Sequence, residues 1–519
     1  LIELSVIYLH QYNATVRKNS LLYSQFIIVL MALLARVIPG PRTIDDAYIT
    51  YRYASNLLDG RGFVYNEGEK VLGTTTPLYA LTLAGLGSLF GGSDAPFPWI
   101  SLFINAAADA VTCLLLIGMG KRLGFLPPGI AAAALWAFAP WSVTFAIGGM
   151  ETSFIIALMT GTFYFYSREK PVPAALLASL CLLTRPDSLL FILPLVLDRI
   201  RRTLPKSRIN PNPNPISLPE AFAFILPSLT WFIIATAYYG KPLPNSISAK
   251  IVAYNLENHE AVIRMLQHYA TPFLGHLTFG NGWIAIGLIL YITLFISGMI
   301  TAIRAWTSSW AIFIFPVAYL LVFSIANPLI FRWYLSPPLP IFFFGIFIGV
   351  NRITQDLKKG LFFWLFASIA FLLTLNGWTI KPDHGPSRPA PEMAFIKLEL
   401  LYEKVGKDLK DLIEPGQILA AGDIGALGYF SEARMLDTVG LISPIAATYY
   451  PLPDSDYVIN YAIPTDLILT EEPDYFVTLE VYGRKTLIPN SDFQATYHLM
   501  KKYDTDLYGS DGMFVFQRK

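Results

Sequence analysis

The sequence predicts a polytopic α-helical membrane protein with a soluble α/β domain at its C-terminal end. Three observations carry that prediction. Of 519 residues, 54% are hydrophobic and only 14% are charged, against roughly 25% charged in soluble domains. The apolar residues gather into windows near the length of about 20 residues that a helix needs to cross a bilayer. Beyond residue 391 the pattern changes to an amphipathic helix and short strands.

The apolar windows fall at 21–38, 98–120, 129–147, 151–167, 172–198, 217–237, 283–303, 308–326, 335–350 and 361–378. The first is long enough to stay as an anchor without a cleaved leader. The window 172–198 is broken at its middle by Thr184-Arg185-Pro186-Asp187. Proline cannot continue the hydrogen-bond ladder, and the two charges are costly in hydrocarbon. It therefore reads as two short helices meeting at one face, which brings the total to about eleven crossings. Lys and Arg concentrate in alternate short loops, at Arg17, Lys18, Lys121, Arg122, Arg168, Lys170, Arg199, Arg201, Arg202, Lys206, Arg208, Arg304, Arg352, Lys358 and Lys359. Those loops are expected on the cytoplasmic side, with the N-terminus. The stretch 39–97 and the tail then face outward.

Within the first outer loop, Ile44, Tyr48, Tyr51, Ser55 and Leu58 recur at helical spacing and predict a helix over 45–58. Tyr79–Phe90 is apolar but short, and reads as a helix lying at the interface. Thr76 can cap it and Pro77 suits its first turn. Residues 1–378 form the expected transmembrane module. Residues 379–391 are a Pro-rich linker and 392–519 the α/β domain, with strands at "QILAAG", "RMLDTVG", "DYFVTLE" and "MFVFQRK". Gly422, Gly425 and Gly428 do not have dinucleotide-loop spacing and read as a turn.

Several chemistries are set aside. A net charge of +1 does not suggest nucleic acid. Cys113 and Cys181 lie in apolar windows and read as small hydrophobes. The six histidines form no metal motif. What stands out is polarity on one side of the membrane. The outer ends of the spans carry Asp45, Asp46, Arg52, Glu151, Arg185, Asp187, Lys250, Arg332 and Tyr334. Taken singly, these residues read as helix-start acids, a local ion pair or interfacial anchors, and Tyr51, Tyr53, Tyr238 and Tyr239 as an aromatic belt. Together they suit a sugar carried on a lipid phosphate. A carboxylate takes the proton of an attacking acceptor hydroxyl. In an inverting displacement it lies opposite the leaving group. Arg and Lys stabilise the leaving phosphate.

The run "DDAYITYRYASNLLDGRGFVYNEGEKVLGTTTPL" resembles the first external loop of the GT-C glycosyltransferases. It is similar above all to the branch containing the mycobacterial terminal arabinofuranosyltransferase. The matching pieces are Asp45-Asp46, Tyr51-Arg52-Tyr53, Gly60-Arg61-Gly62, Asn66-Glu67-Gly68-Glu69 and Gly73–Leu78. "GMET" at 149–152, "TRPDSLL" at 184–190, "YYGKPLPNSISAK" at 238–250, "RWYLSPPLP" at 332–340 and "GDIGALGYFSEARMLDTVGL" at 422–441 follow in order. The resemblance implies an enzyme of a bacterial or archaeal plasma membrane that uses a polyprenyl-phosphate pentose or hexose. The acceptor would be a glycan, glycolipid or protein. It implies that Asp45 or Asp46 is the base. Asp45 is favoured because it shares a helix face with Tyr48 and Arg52, which leaves Asp46 to orient the acceptor or a metal. Some relatives use a divalent cation, Mg or Mn, and others none. Arg52, Arg185, Lys250, Arg332 and Tyr334 are expected at the donor. Tyr48, Tyr51, Thr76, Glu151, Asp187, Tyr239 and Asn245 are expected as substrate-binding or structural residues. Thr75 departs from the branch, where Asn is usual. Asp423 and Asp437 are the tail's candidates for orienting an acceptor, with a structural role the plainer reading. The reading from another class is a transporter or flippase, which would need polar residues through the bilayer and access from both sides.

Overall fold

The computed structural model describes residues 2–204, 214–355, 360–382 and 387–519, with 2–18 as helical backbone. Lys206, Arg208, Lys358, Lys359, residues 383–386 of the linker and the side chains of Arg17 and Lys18 lie outside the described residues. Helix α1 (Ile2–Val37) leads to a long loop that holds α2 (Asp45–Leu58) and α3 (Pro77–Gly87). There follow α4 (Phe97–Leu123), α5 (Leu126–Phe138), α6 (Pro140–Ile147), α7 (Thr152–Ser167), α8 (Pro171–Leu182), α9 (Leu189–Arg201) and α10 (Leu218–Tyr239). After a connection with α11 (Asn245–Ala253) and α12 (Glu260–Ala270) come α13 (Trp283–Ala305), α14 (Phe315–Ala326), α15 (Leu339–Thr354) and α16 (Leu361–Leu375).

Six described helical stretches are long and apolar enough to cross a membrane: Asn19–Val37, Phe97–Leu123, Leu218–Tyr239, Trp283–Ala305, Thr307–Ala326 and Arg332–Thr354. The α5–α6 pair, bent by 46°, makes a seventh if it is one span. The expected count of about eleven is not reached by length, because α7, α8, α9 and α16 have only 12 to 16 residues. The Thr-Arg-Pro-Asp break is what shortens two of them. It forms the 3-10 turn Pro186–Ser188 between α8 and α9.

Close packing of α13 on α15 depends on three glycines. A side chain at Gly298 or Gly349 would strike the backbone of the other helix, and one at Gly345 would strike the Phe295 ring. Without a hydrophobic drive between helices in lipid, such small-residue contacts supply the packing. A buried ion pair ties α1 to α4, with Arg36 Nε donating to Asp109 at 2.9 Å. Asp109 also accepts from Trp136 of α5 at 2.9 Å and from Ser153 of α7 at 2.8 Å.

The tail contains α17 (Lys397–Lys410), β1 (Ile418–Ala421), α18 (Gly425–Ser431), β2 (Arg434–Asp437), α19 (Thr465–Glu471), β3 (Tyr475–Leu479), β4 (Tyr497–Tyr503) and β5 (Met513–Arg518). The strand order is β2-β1-β3-β5-β4. β1 runs parallel to β2 and β3, while β5 is antiparallel to β3 and β4. Four of these strands coincide with the sequence reading. β4 escapes it because only the two ends of "YHLMKKY" are buried, so no apolar run marks the strand.

Candidate active site

Helix α2 begins at Asp45 and Asp46, where carboxylates complement the helix dipole. Neighbouring residues on a helix point about 100° apart, so the two acids meet different surroundings. Asp46 lines a cavity of about 720 Å³, and its carboxylate lies 3.5 Å from the Lys250 ammonium. Asp45 turns to the tail. It accepts from the backbone amide of Gly425 at 3.0 Å and from that of Ala426 at 2.7 Å. Burial and the nearby Asp423 carboxylate push the Asp45 carboxyl up, against the Ala426 amide. Burial raises Asp423 in turn, although the Tyr402 hydroxyl donates to it at 2.7 Å.

Most of the rest of the cavity wall comes from four regions, with Met150 and Glu151 before α7 and Leu441 of the tail completing it. From α11 come Ser246 and Lys250, one helical turn apart on one face, followed by Tyr254. Burial works against the Lys250 charge, but Asp46, Tyr334 and Glu151 together outweigh it and hold the amine above its ordinary value. The Lys250 ammonium also lies 4.4 Å over the Phe331 ring. The Ser246 hydroxyl is buried and has no hydrogen-bond partner among the described residues. From the chain break before α9 comes Arg185. It forks onto Asp187 at 3.0 and 2.8 Å, donates to Glu151 at 3.2 Å and lies 4.7 Å from the Tyr334 ring. From the first loop come Thr74, Thr75 and Thr76. Tyr53 pins this turn, donating to Val71 and accepting from Gly73, both at 2.8 Å. The fourth region is apolar, with Phe323, Leu329, Phe331 and Trp333. Among the lining residues, Lys250 and Arg185 face three carboxylates, Asp46, Glu151 and Asp187.

Of the residues expected at the site, Asp46, Thr76, Glu151, Arg185, Asp187, Lys250 and Tyr334 converge on this cavity. The rest have other partners. Arg52 donates to the carbonyls of Tyr65, Gly428 and Ala433 at 3.0, 2.5 and 2.6 Å and joins loop to tail. Arg332 donates to Met393 at 2.9 Å and covers Phe395, because the 3-10 turn Arg332–Leu335 sends it away from Tyr334. Tyr48 packs on Tyr429 and Phe430 of the tail, and Tyr51 bonds Ser101 at 2.6 Å. The Tyr239 hydroxyl donates to Phe63 at 2.5 Å. Asn245 donates to Gly440 at 2.6 Å. Thr76 does not cap α3 with its side chain. Its hydroxyl pairs with Thr74 at 3.1 Å. The Asp437 carboxylate binds the amides of Val439 and Ile442 in its own turn. Sequence reading missed Ser246, Tyr254 and Asn327. The first two were accessible, since each lies four residues from Lys250 on a helical register.

Among the described residues, no three His, Cys, Asp or Glu side chains gather as a metal-binding group. Asp46 already faces an ammonium, which would repel a second cation. Among the described residues, protein side chains alone do not form a cage for a divalent cation.

A family described as a domain of unknown function (DUF8728) matches residues 393–516. No curated protein matches the chain. Among solved structures, ArnT from Cupriavidus metallidurans bound to undecaprenyl phosphate superposes with a TM-score of 0.57 at 11% identity, over 96% of this chain and 98% of that one. The oligosaccharyltransferase AglB from Archaeoglobus fulgidus, in complex with an inhibitory peptide and a dolichol-phosphate, gives 0.54 at 11% identity, over 89% and 70%. Both are GT-C glycosyltransferases. The fold is that of a polytopic GT-C membrane protein with a soluble C-terminal domain.

Proposed function

We propose that this protein is an integral membrane glycosyltransferase. It moves a sugar, with inversion, from a polyprenyl phosphate to an acceptor hydroxyl reached from the aqueous side. The observation that carries this reading is the Asp46–Lys250 pair at 3.5 Å in a cavity that is ionic at one end and apolar at the other. The GT-C fold supports it, as do the lipid phosphates held by the ArnT and AglB structures. The outward orientation rests on the distribution of Lys and Arg in the short loops.

In this mechanism Asp46, rather than Asp45, takes the proton of the acceptor hydroxyl. Asp45 already spends its carboxylate on two backbone amides. The acceptor oxygen attacks the anomeric carbon as the bond from that carbon to the phosphate oxygen breaks. The electron pair stays on the phosphate, and Lys250, turning from Asp46 to the donor when it binds, offsets its growing charge across the sugar from that carboxylate. Arg185 is neutralised by Glu151 and Asp187 and serves more to hold the cavity wall than to supply free charge. The apolar wall at Phe323, Leu329 and Phe331 receives the first isoprene units. The sugar is a pentose, as in the arabinofuranosyltransferase-like branch, or a hexose. The acceptor is an envelope glycan, a glycolipid or a protein.

The test is mass spectrometry of lipids that co-purify with the wild-type protein and with Asp46→Asn. A polyprenyl-phosphate sugar enriched in the variant, with turnover down on the order of 100- to 10,000-fold, supports the assignment and names the sugar class. Absence of any polyprenyl phosphate from both, with no turnover of a supplied one, would sink it in favour of a transporter.

A further inference from the structure

Gly425 and Gly428, expected in a turn, lie instead on helix α18, and both are places where a side chain cannot be built. A Cβ at Gly425 would overlap the backbone oxygen and carboxylate of Asp45. A Cβ at Gly428 would overlap the Tyr65 hydroxyl and crowd the Arg52 guanidinium. The tail thus closes directly on the first turn of α2. Further contacts join the same two surfaces. The Tyr65 hydroxyl donates to Ile424 at 2.5 Å. Asn66 exchanges two hydrogen bonds with the backbone of Met435, at 2.8 and 3.0 Å. Glu69 pairs with Arg434 at 2.8 Å.

We propose that Asp45 is a positioning residue. Its two bonds to Gly425 and Ala426 fix the rotation of the first turn of α2, and so the direction in which Asp46 enters the cavity. This rests on the reading of Asp46 as the base. Adjacent side chains share a rigid turn, so releasing one lets the other swing. A displacement of about 1 Å at a reacting group is enough to lose on the order of 100-fold in rate. The C-terminal domain is then part of the catalytic apparatus, and its docking is a condition for Asp46 to act.

The experiment uses the full chain in lipid nanodiscs. Five proteins are compared: wild type, Asp45→Asn, Gly425→Ala, the double variant of these two, and Lys502→Ala as a tail residue whose partner, Asp511, lies in its own domain. The probes are undecaprenyl-phosphate-linked pentose and hexose, whichever wild type turns over, and hydrogen exchange of 45–48 and 424–426. Asp45→Asn and Gly425→Ala should each lower kcat about 10- to 100-fold with the donor KM nearly unchanged. The acid limb of the pH profile should persist, because Asp46 still accepts the proton. The double variant should be no worse than either single one. Both single variants should exchange faster at 45–48, while Lys502→Ala keeps kcat within about 3-fold of wild type. Full activity with unaltered exchange in Asp45→Asn overturns the proposal. So does total loss of activity and of the acid limb in Asp45→Asn alongside a healthy Gly425→Ala, since Asp45 would then be the base. If Gly425→Ala does not fold, Asp45→Asn alone still decides. Retained turnover in Asp46→Asn would count against the base assignment, and the exchange comparison would still report whether Asp45 holds the turn.

Discussion

In the proposed mechanism Lys250 carries the burden of recognising a phosphate, because Arg185 is already matched by Glu151 at 3.2 Å and Asp187 at 2.8 Å. Two cations against three carboxylates suit a ligand with a single negative charge, such as a phosphodiester, better than a diphosphate. Lys250→Met should therefore weaken binding of undecaprenyl phosphate on the order of 10- to 100-fold, the range of one charged hydrogen bond. Native mass spectrometry of the loaded protein checks this, and equal loading of wild type and variant would refute it. Ser246 offers a second, finer test. Its hydroxyl is buried in the same wall without a partner. A ligand that satisfies it should lose about 3- to 10-fold in affinity in Ser246→Ala, whereas the variant's thermal stability should hold or rise. The sequence pointed to a pair of acids but could not choose between them. A shared helix face with Tyr48 and Arg52 argued for Asp45, and that face proved to be the one the tail covers. Choosing between the two acids needs contacts with residues some 380 positions away.

Among the elements, α1, α4, α5 and α7 meet at Arg36 and Asp109, both fully buried. Asp109 has three donors and Arg36 bonds also to Ala137 and Ser142, so the pair is satisfied. Removing one partner leaves an uncompensated charge, which costs about 3–5 kcal/mol in a buried pair. Asp109→Ala should thus lower the thermal midpoint sharply in detergent, while Arg36→Met combined with Asp109→Leu should restore much of it. A double variant as unstable as Asp109→Ala alone would show that the pair specifies packing that apolar groups cannot replace. Asp109 in an apolar window was a visible signal of this kind. Elements with local causes were legible. The break at Pro186, the helix over 45–58 and four of the tail's strands follow from proline chemistry and periodicity. Elements with tertiary causes were not. Thr76 could cap α3 but is drawn to Thr74, and β4 is held by pairing with β5 rather than by apolar content.

For the whole molecule, the junction between first loop and tail is rich in carboxylates, and this makes its strength depend on pH. Glu399, in the first turn of α17, is pushed up to about 7 by burial, with Asp423 adding to the effect and Arg332 opposing it. Asp437 is pushed up to about 6 by burial, against the amides of its own turn. In the unfolded chain these groups titrate near about 4.3 and 3.9. A carboxyl that holds its proton more tightly when folded contributes stability in full below its unfolded value. That contribution is lost as pH rises through the folded value. The junction should accordingly be firmest at or below about pH 4 and loosen toward about pH 8. Glu399→Gln keeps the shape of the protonated side chain without its charge. It should be more stable than wild type at about pH 8, by on the order of 2 kcal/mol, with the gap closing toward about pH 4.5. Thermal unfolding of both proteins across this range measures the difference. A gap that stays constant with pH would mean that Glu399 does not titrate in the window, and that the acids at the junction are held in one state throughout. A closing gap would tie the tail's hold on Asp45, and with it the orientation of Asp46, to the acidity of the compartment the domain faces.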